Sequence, residues 1–444
     1  MRHPMLKQVL AACVIGAAAA TGSYVRAAPA ETAAAPVDES DVAAFRRLRA
    51  EAVAAANAGD LSLAADRLRQ AETRVPNHPG LIVLRARTAA AQGDAAEAVA
   101  QLTRYARAGL VMNLERDAAL SSLSQTPGFA EAAAQIEANR APKGADRLSI
   151  VATVAGAGLI ESLARDEARQ AWFVSRVAGR DVATLHDDSR VSGFLSKAAP
   201  VEGVLGLSHD VERGVLWAVS SPVPPATHGR SEPGPAALLA IDPATGAVRA
   251  TYPVAADGRE HGPGDLVRDA EGAVYVADGL AGRIYRLPPD GAALELFLPE
   301  GRLGSPQGMA ITPDGTALIA ADYSSGLWSA PLNGDMPVRM AAPSEAVLIG
   351  IDGLISDGSV LYGLQNGVAP QRLLKLTPSA DWTRIVRVEV LAANLPQINQ
   401  PTTGLLHDGH LVFVSRSQWN DFAPDGALRT AEPQPAIIAR LRLD

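Results

Sequence analysis

One position recurs at the start of six similar short segments, and the polar residues found at four of its six occurrences could do chemistry together. If the segments form a ring, equivalent positions converge on its axis, so two carboxylates and an amide would meet there. Carboxylates brought close together are costly unless a proton or a cation lies between them. Oxygen atoms of this kind suit a hard divalent ion such as Ca²⁺, Mg²⁺ or Mn²⁺. In chain order, this axial position is occupied by Glu161, Leu205, Gly264, Gln307, Asp352 and Thr402.

Three further side chains are candidates for contact with a substrate. Asp265 follows the axial Gly264 and is expected to join the acidic group, and Thr402 supplies an axial hydroxyl. His261 lies in a Gly/Pro-rich stretch nearby and is of a type that titrates near neutrality, although most loop histidines are simply solvated. The sequence contains no Gly-x-Ser-x-Gly elbow, no His-Glu-x-x-His motif and no phosphate-cradling glycine loop. These absences argue against serine hydrolases, zinc proteases and nucleotide-dependent enzymes.

The elements that must position these residues begin at residue 147, where apolar residues alternate with period two. Short β-rich runs are separated by turn signals such as Pro289-Asp290-Gly291 and Pro313-Asp314-Gly315. No long helical stretch interrupts them, which favours a sandwich or a propeller. The six units recur at roughly 40–60 residues, so residues 147–444 are predicted to form a mainly β, six-bladed propeller. Residues 149–153 are expected to supply the outer strand of the last blade and close the ring.

Residues 41–140 differ in composition, being rich in Ala, Leu, Arg and Glu with apolar residues at helical spacing. Gly59-Asp60 and Gly93-Asp94 begin two similar stretches 34 residues apart, the period of tetratricopeptide helix pairs. The segment resembles that family, and it is predicted to be an N-terminal α-helical repeat domain. Such a domain would act either as a packing spacer or as a groove for a protein partner. With about two repeats, the spacer is the favoured interpretation.

The first 27 residues have the pattern of a signal peptide. Arg2 and Lys7 precede an apolar stretch, and Val25-Arg26-Ala27 stands where cleavage is usual. The stretch Leu10-Ala11-Ala12-Cys13 also resembles a lipoprotein box, which makes lipidation the less favoured alternative. Residues 28–40 have the composition of a disordered leader. Cleavage would remove the chain's single cysteine and change the formal net charge from −8 to −11. We therefore expect a periplasmic or secreted protein with no stable membrane insertion and no nucleic-acid partner.

Residues 155–444 resemble the senescence-marker-protein/gluconolactonase family, and more distantly the paraoxonases and strictosidine synthases. The resemblance rests on Glu161 in the first unit, Gln307-Gly308-Met309-Ala310 with Pro313-Asp314-Gly315 in the fourth, and Asp352-Gly353-Leu354 in the fifth. It implies that Glu161, Gln307 and Asp352 are metal ligands and that Asp352 is also the catalytic acid/base. Gln307 stands where the family has asparagine, and Gly264 stands where it usually has a second asparagine.

By this resemblance, the substrate is a small lactone-like molecule and the reaction is hydrolysis of its cyclic ester. The implied cofactor is a divalent ion, Ca²⁺ before Mg²⁺, Mn²⁺ or Zn²⁺, which would polarise the ester carbonyl while Asp352 moves the proton. Two alternatives stay open: a propeller that binds a ligand or a protein without catalysis, and a condensing enzyme of the strictosidine-synthase type. A divalent ion in the channel would favour the hydrolase, and a Gln307 amide packed against backbone would favour the binding propeller.

Overall fold

The computed structural model separates the chain into two compact units, with the boundary between Ile136 and Glu137. The predicted signal peptide at 1–27, with its cysteine, and residues 28–38 of the predicted leader lie outside the part of the chain that the structure describes. No helix in the described part is both long and apolar enough to cross a membrane. The described residues are 39–156, 158–196 and 201–443.

The N-terminal unit is helical, and two of its turns use the same device. Gly59 and Gly93 take positive φ angles of 86° and 81°, a backbone conformation that favours glycine. Each is followed by an aspartate, Asp60 or Asp94, whose side chain accepts a hydrogen bond from the backbone N–H three residues ahead and so caps the next helix. The helices are α1 (Asp41–Asn57), α2 (Leu61–Arg74), α3 (Pro79–Gln92), α4 (Ala95–Arg107), α5 (Ala118–Ser121) and α6 (Phe129–Ala138).

Acid is expected to destabilise this helical unit through His78. The His78 ring lies 4.9 Å from the Phe45 ring, and its Nδ1 atom is buried without a hydrogen-bond partner among the described residues. Burial, together with the charge of Arg49, lowers the pKa of His78 to about 4. Because this pKa lies below that of histidine in an unfolded chain, the folded unit favours the neutral ring, and its stability is not reduced by His78 above about pH 6.5. As the pH falls toward 4, the free energy of unfolding of the helical unit should decrease by about 2–3 kcal/mol.

Urea unfolding followed by the helical circular dichroism signal would measure this effect. The urea concentration at the unfolding midpoint should decrease as the pH is lowered from about 7 to about 4. The His78→Phe variant keeps the ring contact and cannot take a proton, so it should remove most of this pH dependence. His186 is exposed on the propeller, and His186→Gln should leave the dependence unchanged. A His78→Phe variant with the original pH dependence would show that another group is responsible.

The second unit is a six-bladed β-propeller, which confirms the predicted fold class. Each blade is a four-stranded antiparallel sheet. In five of the blades the strands follow one another in sequence order, and in the sixth the N-terminal strand β1 (Leu148–Val154) pairs with the C-terminal strand β24 (Ala436–Arg442). The first strand of the propeller therefore closes the ring, as predicted, so that both ends of the unit are held in one sheet.

The blades repeat evenly along the chain. The first consists of β2 (Ile160–Asp166), β3 (Ala171–Arg176), β4 (Asp181–Leu185) and β5 (Val191–Gly193). The second consists of β6 (Gly203–Asp210), β7 (Val215–Ser221), β8 (Ala237–Ile241) and β9 (Val248–Pro253), with the short helix α7 (Pro224–Thr227) between β7 and β8. The third consists of β10 (Pro263–Arg268), β11 (Val274–Asp278), β12 (Arg283–Leu287) and β13 (Glu295–Leu298). The fourth consists of β14 (Pro306–Ile311), β15 (Ala317–Asp322), β16 (Gly326–Pro331) and β17 (Val338–Arg339). The fifth consists of β18 (Ile351–Ser356), β19 (Leu361–Gln365), β20 (Arg372–Pro378) and β21 (Ile385–Ala393). The sixth combines β1 and β24 with β22 (Gly404–His407) and β23 (His410–Arg416).

Hydrophobic side chains fill the space between neighbouring blades. Leu364 of the fifth blade, for example, shares a buried cluster with Phe413 and Ala439 of the sixth. Trp217 of the second blade packs in the same way with Tyr285 of the third. Burying a large apolar side chain stabilises the fold by roughly 2 kcal/mol. The packing between blades fixes the directions of the inner strands, and these directions decide which residues meet on the axis.

Candidate functional site

The inner strands of the propeller are interrupted at or next to the axial position. On β2 the pairing with β3 changes register just before Leu163, so that Glu161 falls in a bulge. The corresponding shifts on β10, β14 and β18 place Asp265, Gln307 and Asp352 in bulges. A β-bulge frees a residue from the regular ladder and redirects its side chain, and bulges are common beside active sites. This repeated irregularity brings the candidate residues to the axis.

Neighbouring inner strands approach very closely just after the axial position. A Cβ atom at Gly308 would lie 2.3 Å from the Leu354 nitrogen and 2.6 Å from the Asp352 carbonyl oxygen. One at Gly353 would lie 2.3 Å from the Thr402 carbonyl oxygen. Only glycine fits these positions without a shift of backbone. The close approach fixes the fourth, fifth and sixth blades against one another at the level of the candidate residues.

The third blade reverses this order, with the glycine on the axis and the acid after it. A Cβ atom at Gly264 would have its nearest neighbours 3.8 Å away, and one of these is the Gln307 Oε1 atom. The Gln307 Nε2 atom donates to Ser305 Oγ at 3.1 Å and lies beside the backbone of Gly279. The amide of Gln307 is therefore held by its nitrogen beside the Gly279 backbone, while its oxygen lies beside Gly264.

Three carboxyl groups, of Glu161, Asp265 and Asp352, share the channel at this level. Each of these three residues is half-buried. Burial raises the pKa of Glu161 well above its usual range, and the charges of Asp352 and Asp265 raise it further. Burial and the charge of Asp265 likewise raise the pKa of Asp352, and burial raises the pKa of Asp265 to about 7. Within the described residues none of the three forms an ion pair, so the cluster should attract a proton or a cation.

Two of these carboxylates have polar partners that the sequence did not predict. The Trp419 indole N–H donates to Glu161 Oε2 at 2.6 Å. Asn366 Nδ2 donates to Asp352 Oδ2 at 2.5 Å, and the Tyr323 hydroxyl donates to Asn366 Oδ1 at 2.9 Å. Tyr323 and Asn366 each follow the second strand of their blade, which in an antiparallel sheet ends beside the start of the inner strand. The residue after each second strand is therefore a usable sequence signal, whereas Trp419, in the long loop after β23, has none.

The remaining predicted residues are held by other contacts. The Thr402 hydroxyl donates to the main-chain oxygen of Glu161 at 2.6 Å and so joins the sixth blade to the first. The His261 ring lies between two carboxylates, with Nδ1 2.8 Å from Asp278 Oδ2 and Nε2 3.1 Å from Asp257 Oδ1. The structure therefore places Thr402 beside the acidic cluster and ties His261 into a network with two other acids.

The donor set fits a hard divalent ion by its chemistry. Glu161 and Asp352 offer carboxylate oxygens, and Gln307 offers an amide oxygen that lies beside Gly264. The negative charge of the cluster, which no basic side chain of the described residues balances, favours a cation in the same place. In the described part of the chain, no three acidic, histidine or cysteine side chains are close enough to hold an ion by themselves. Within the described residues the three carboxyl groups therefore do not form an ion site by themselves, and any site here would need further oxygen donors.

A cavity of about 520 Å³ lies in the channel, toward the ends of the inner strands. Its volume is in the range of small-molecule sites, about 300–1,000 Å³. Asp265 lines this cavity, whereas Glu161, Gln307 and Asp352 do not. Asp265 is therefore the member of the acidic cluster that borders the cavity. Fold and site together define a six-bladed propeller with a cluster of acids and one amide at one end of its channel.

Comparisons with known proteins give similarity in solved structures only. No family model matches the sequence, and no curated protein matches it. A gluconolactonase from Xanthomonas campestris is 18% identical with a TM-score of 0.45, over 67% of this chain and 91% of that one. A calcium-binding regucalcin from Agrobacterium tumefaciens is 16% identical with a TM-score of 0.47, over 66% and 93%. A streptogramin B lyase is 14% identical with a TM-score of 0.45, over 67% and 97%. The activities in these names belong to those proteins, and the fold assigned above rests on this chain's own strand pairing.

Proposed function

We propose that this protein is an exported, metal-dependent hydrolase of a lactone-like small molecule. The observation that carries the proposal is the group of carboxyls of Glu161, Asp265 and Asp352 at one end of the channel, with no ion pair to a basic side chain among the described residues. The Gln307 amide oxygen lies beside Gly264 on the neighbouring inner strand. The resemblance of residues 155–444 to gluconolactonases assigns ligand and acid/base roles to Glu161, Gln307 and Asp352. The electrostatic grouping of Glu161 with Asp352 supports two of the three positions, and Gln307 enters the proposal through the resemblance.

In this proposal Glu161, Gln307 and Asp352 hold the ion, with Ca²⁺ expected first by the resemblance and Mg²⁺, Mn²⁺ or Zn²⁺ as alternatives; their oxygen donors suit hard ions. When bound, a divalent ion supplies Lewis-acid polarisation of the ester carbonyl. Asp265 is the member of the cluster that borders the cavity and is the residue best placed to contact the substrate. Thr402 acts mainly through its hydrogen bond to Glu161, and His261 shapes the loop before β10.

Asp352 moves the proton. Asn366 holds its Oδ2 atom, whereas Oδ1 has no hydrogen-bond partner among the described residues and is free to accept a proton from water. The water oxygen then attacks the carbonyl carbon, the ring carbon–oxygen bond breaks, and the proton passes from Asp352 to the leaving alkoxide. Hydrolysis therefore consumes one water and yields one hydroxy acid. Tyr323 orients Asn366, and Asn366 in turn orients Asp352, so both are positioning residues.

A non-catalytic binding propeller is the second candidate. Trp419 and Asn366 already provide hydrogen bonds to Glu161 and Asp352, as expected of channel residues that need no ion. In this case the tetratricopeptide-like helices would supply the interaction. They carry a cavity of about 320 Å³ whose lining includes Arg69, Arg85 and Glu97, which could receive a protein partner.

The test is turnover of a panel of sugar and aliphatic lactones by residues 28–444, with each divalent ion and with chelator. Glu161→Gln removes one carboxylate of the cluster, and Glu295→Gln, on exposed β13, is the matched control. The proposal predicts metal-dependent turnover that Glu161→Gln abolishes and Glu295→Gln retains. No turnover with any ion would favour the binding propeller, whereas equal turnover in both variants would show that hydrolysis does not use Glu161.

A further inference from the structure

A second repeated position lies four residues after the axial one, near the other end of each inner strand. Its residues all line the 520 Å³ cavity, so they form a rim around it. Because the inner strands repeat, equivalent residues meet at this end of the channel as they do at the acidic end. In blade order, this rim position is occupied by Arg165, His209, Arg268, Ile311, Ser356 and Leu406.

The first three blades give the rim a basic side. His209 Nδ1 lies 3.0 Å from the Arg165 carbonyl oxygen, and Arg268 Nη2 lies 3.4 Å from the His209 carbonyl oxygen, so the three residues are neighbours. The Arg165 and Arg268 side chains are 10% and 24% exposed. Both line the cavity, and a molecule that enters it meets these two guanidinium groups.

Acids near the rim satisfy these arginines only in part. Arg268 Nη1 lies 2.9 Å from Asp210 Oδ2, but Asp210 also lies 3.6 Å from Arg213. Arg165 Nη2 donates to Gln170 Oε1 at 2.6 Å, and Arg165 Nε lies 3.5 Å from Glu167, which is 54% exposed and shared with His407. The Nε atoms of Arg165 and Arg268 are buried with no hydrogen-bond partner among the described residues. Each of the two guanidinium groups therefore keeps a buried N–H without an acceptor, and an anion at the rim would supply a further acceptor to them.

The last three blades give the cavity an apolar side. Ile311 and Leu406 occupy the rim, and Met309, Leu354 and Leu405 line the wall further in. Asp265 lines the inner end, about three residues or roughly 10 Å of strand from Arg268. A carboxylate would be repelled by Asp265 and attracted by the basic rim, whereas a hydroxyl at the far end of the same molecule could donate to Asp265.

We propose that this cavity is a second small-molecule site, which binds an aliphatic hydroxy acid with its carboxylate at Arg165 and Arg268. The aliphatic body lies along the apolar wall and the hydroxyl reaches Asp265. Lactone hydrolysis would yield a compound of this class. The inference does not rest on that reaction, because the recognition groups lie outside Glu161, Gln307 and Asp352.

Calorimetric titration with ω-hydroxyhexanoate tests the site. We would use an Asp352→Asn background in chelator, where neither a metal nor turnover contributes. Hexanediol and ω-aminohexanol have the same length but no charge or the opposite charge. Saturable binding of the acid is expected, with each of the other two at least about tenfold weaker. Equal binding of the acid and the diol, or no saturable binding of the acid, would overturn the proposal whether or not the protein is a hydrolase.

Variants locate the binding within the cavity. Arg165→Met keeps an apolar stem over Trp172 and should weaken binding of the acid about tenfold or more. Ile311→Asn leaves both arginines in place and should weaken binding through the apolar wall, so the two sides are tested separately. Arg249→Gln, on exposed β9, should bind as the background does. Unfolding midpoints identify any variant that does not fold, and unchanged affinity in both folded rim variants would place the ligand elsewhere.

Discussion

The Asp352→Asn variant is expected to hydrolyse lactones about 10²–10⁴-fold more slowly than the unmodified protein, which is the usual contribution of a general acid or base. Asparagine has the same shape and can still accept the Asn366 hydrogen bond through its oxygen, so the local structure should be retained. It cannot take a proton, however, and it contributes no charge to an ion. Loss of one negative charge also relieves the repulsion on Glu161. The free energy of unfolding should therefore stay the same or rise by about 1 kcal/mol.

Steady-state kinetics and urea unfolding of the same preparations would measure both effects. Asp187→Asn, in the exposed turn after β4, removes the same charge far from the axis and should change neither quantity. Low turnover with unchanged or increased stability would show that Asp352 acts in the reaction and does not stabilise the fold. Low turnover with a large loss of stability would instead give Asp352 a structural role.

Gly308→Ala is expected to destabilise the propeller by about 3 kcal/mol and to lower turnover at the same time. The new Cβ atom would lie 2.3 Å from the Leu354 nitrogen and 2.6 Å from the Asp352 carbonyl oxygen. Both contacts are with backbone, which no rotamer change can relieve, so the inner strands of the fourth and fifth blades must separate. That movement displaces Gln307 and Asp352, the residues that flank the contact.

Gly264→Ala is the matched control on the same ring. Its Cβ atom would have no neighbour closer than 3.8 Å, so the free energy of unfolding should change by less than about 0.5 kcal/mol. The comparison isolates the close approach of the strands from the general effect of replacing glycine. If both variants unfolded at the same denaturant concentration, the inner strands would not be as close as the structure shows.

The blades and the axial residues could be predicted because each is repeated. A signal that recurs six times identifies equivalent positions even where one unit departs from the pattern. In this way Glu161, Gln307 and Asp352 were selected from the sequence, and the structure places them at the start of the inner strands. The closing strand β1 was predictable for a related reason, because a sixth blade with three strands leaves an open edge.

The partners of these residues could not be predicted, because they depend on loops that do not repeat. Trp419 reaches Glu161 from a loop of the sixth blade, and its position in the sequence gives no indication of this contact. His261 illustrates the same limit, since its environment is set by Asp257 and Asp278, which lie on either side of it in the chain. The basic side of the rim does not have this limit, because Arg165, His209 and Arg268 stand at the same position of the first three inner strands, a repeat that is visible in the sequence.

Calorimetric titration of Ca²⁺ into residues 28–444 tests the central claim most directly, with a Glu161→Gln, Asp352→Asn double variant alongside. Our account predicts one ion per chain, binding that the double variant abolishes and Asp187→Asn retains, and no loss of fold in either variant. Binding of equal affinity in the double variant, or no binding of Ca²⁺, Mg²⁺, Mn²⁺ or Zn²⁺ to the unmodified protein, would contradict a metal site at the acidic end of the channel. The propeller would then have to be regarded as a binding module.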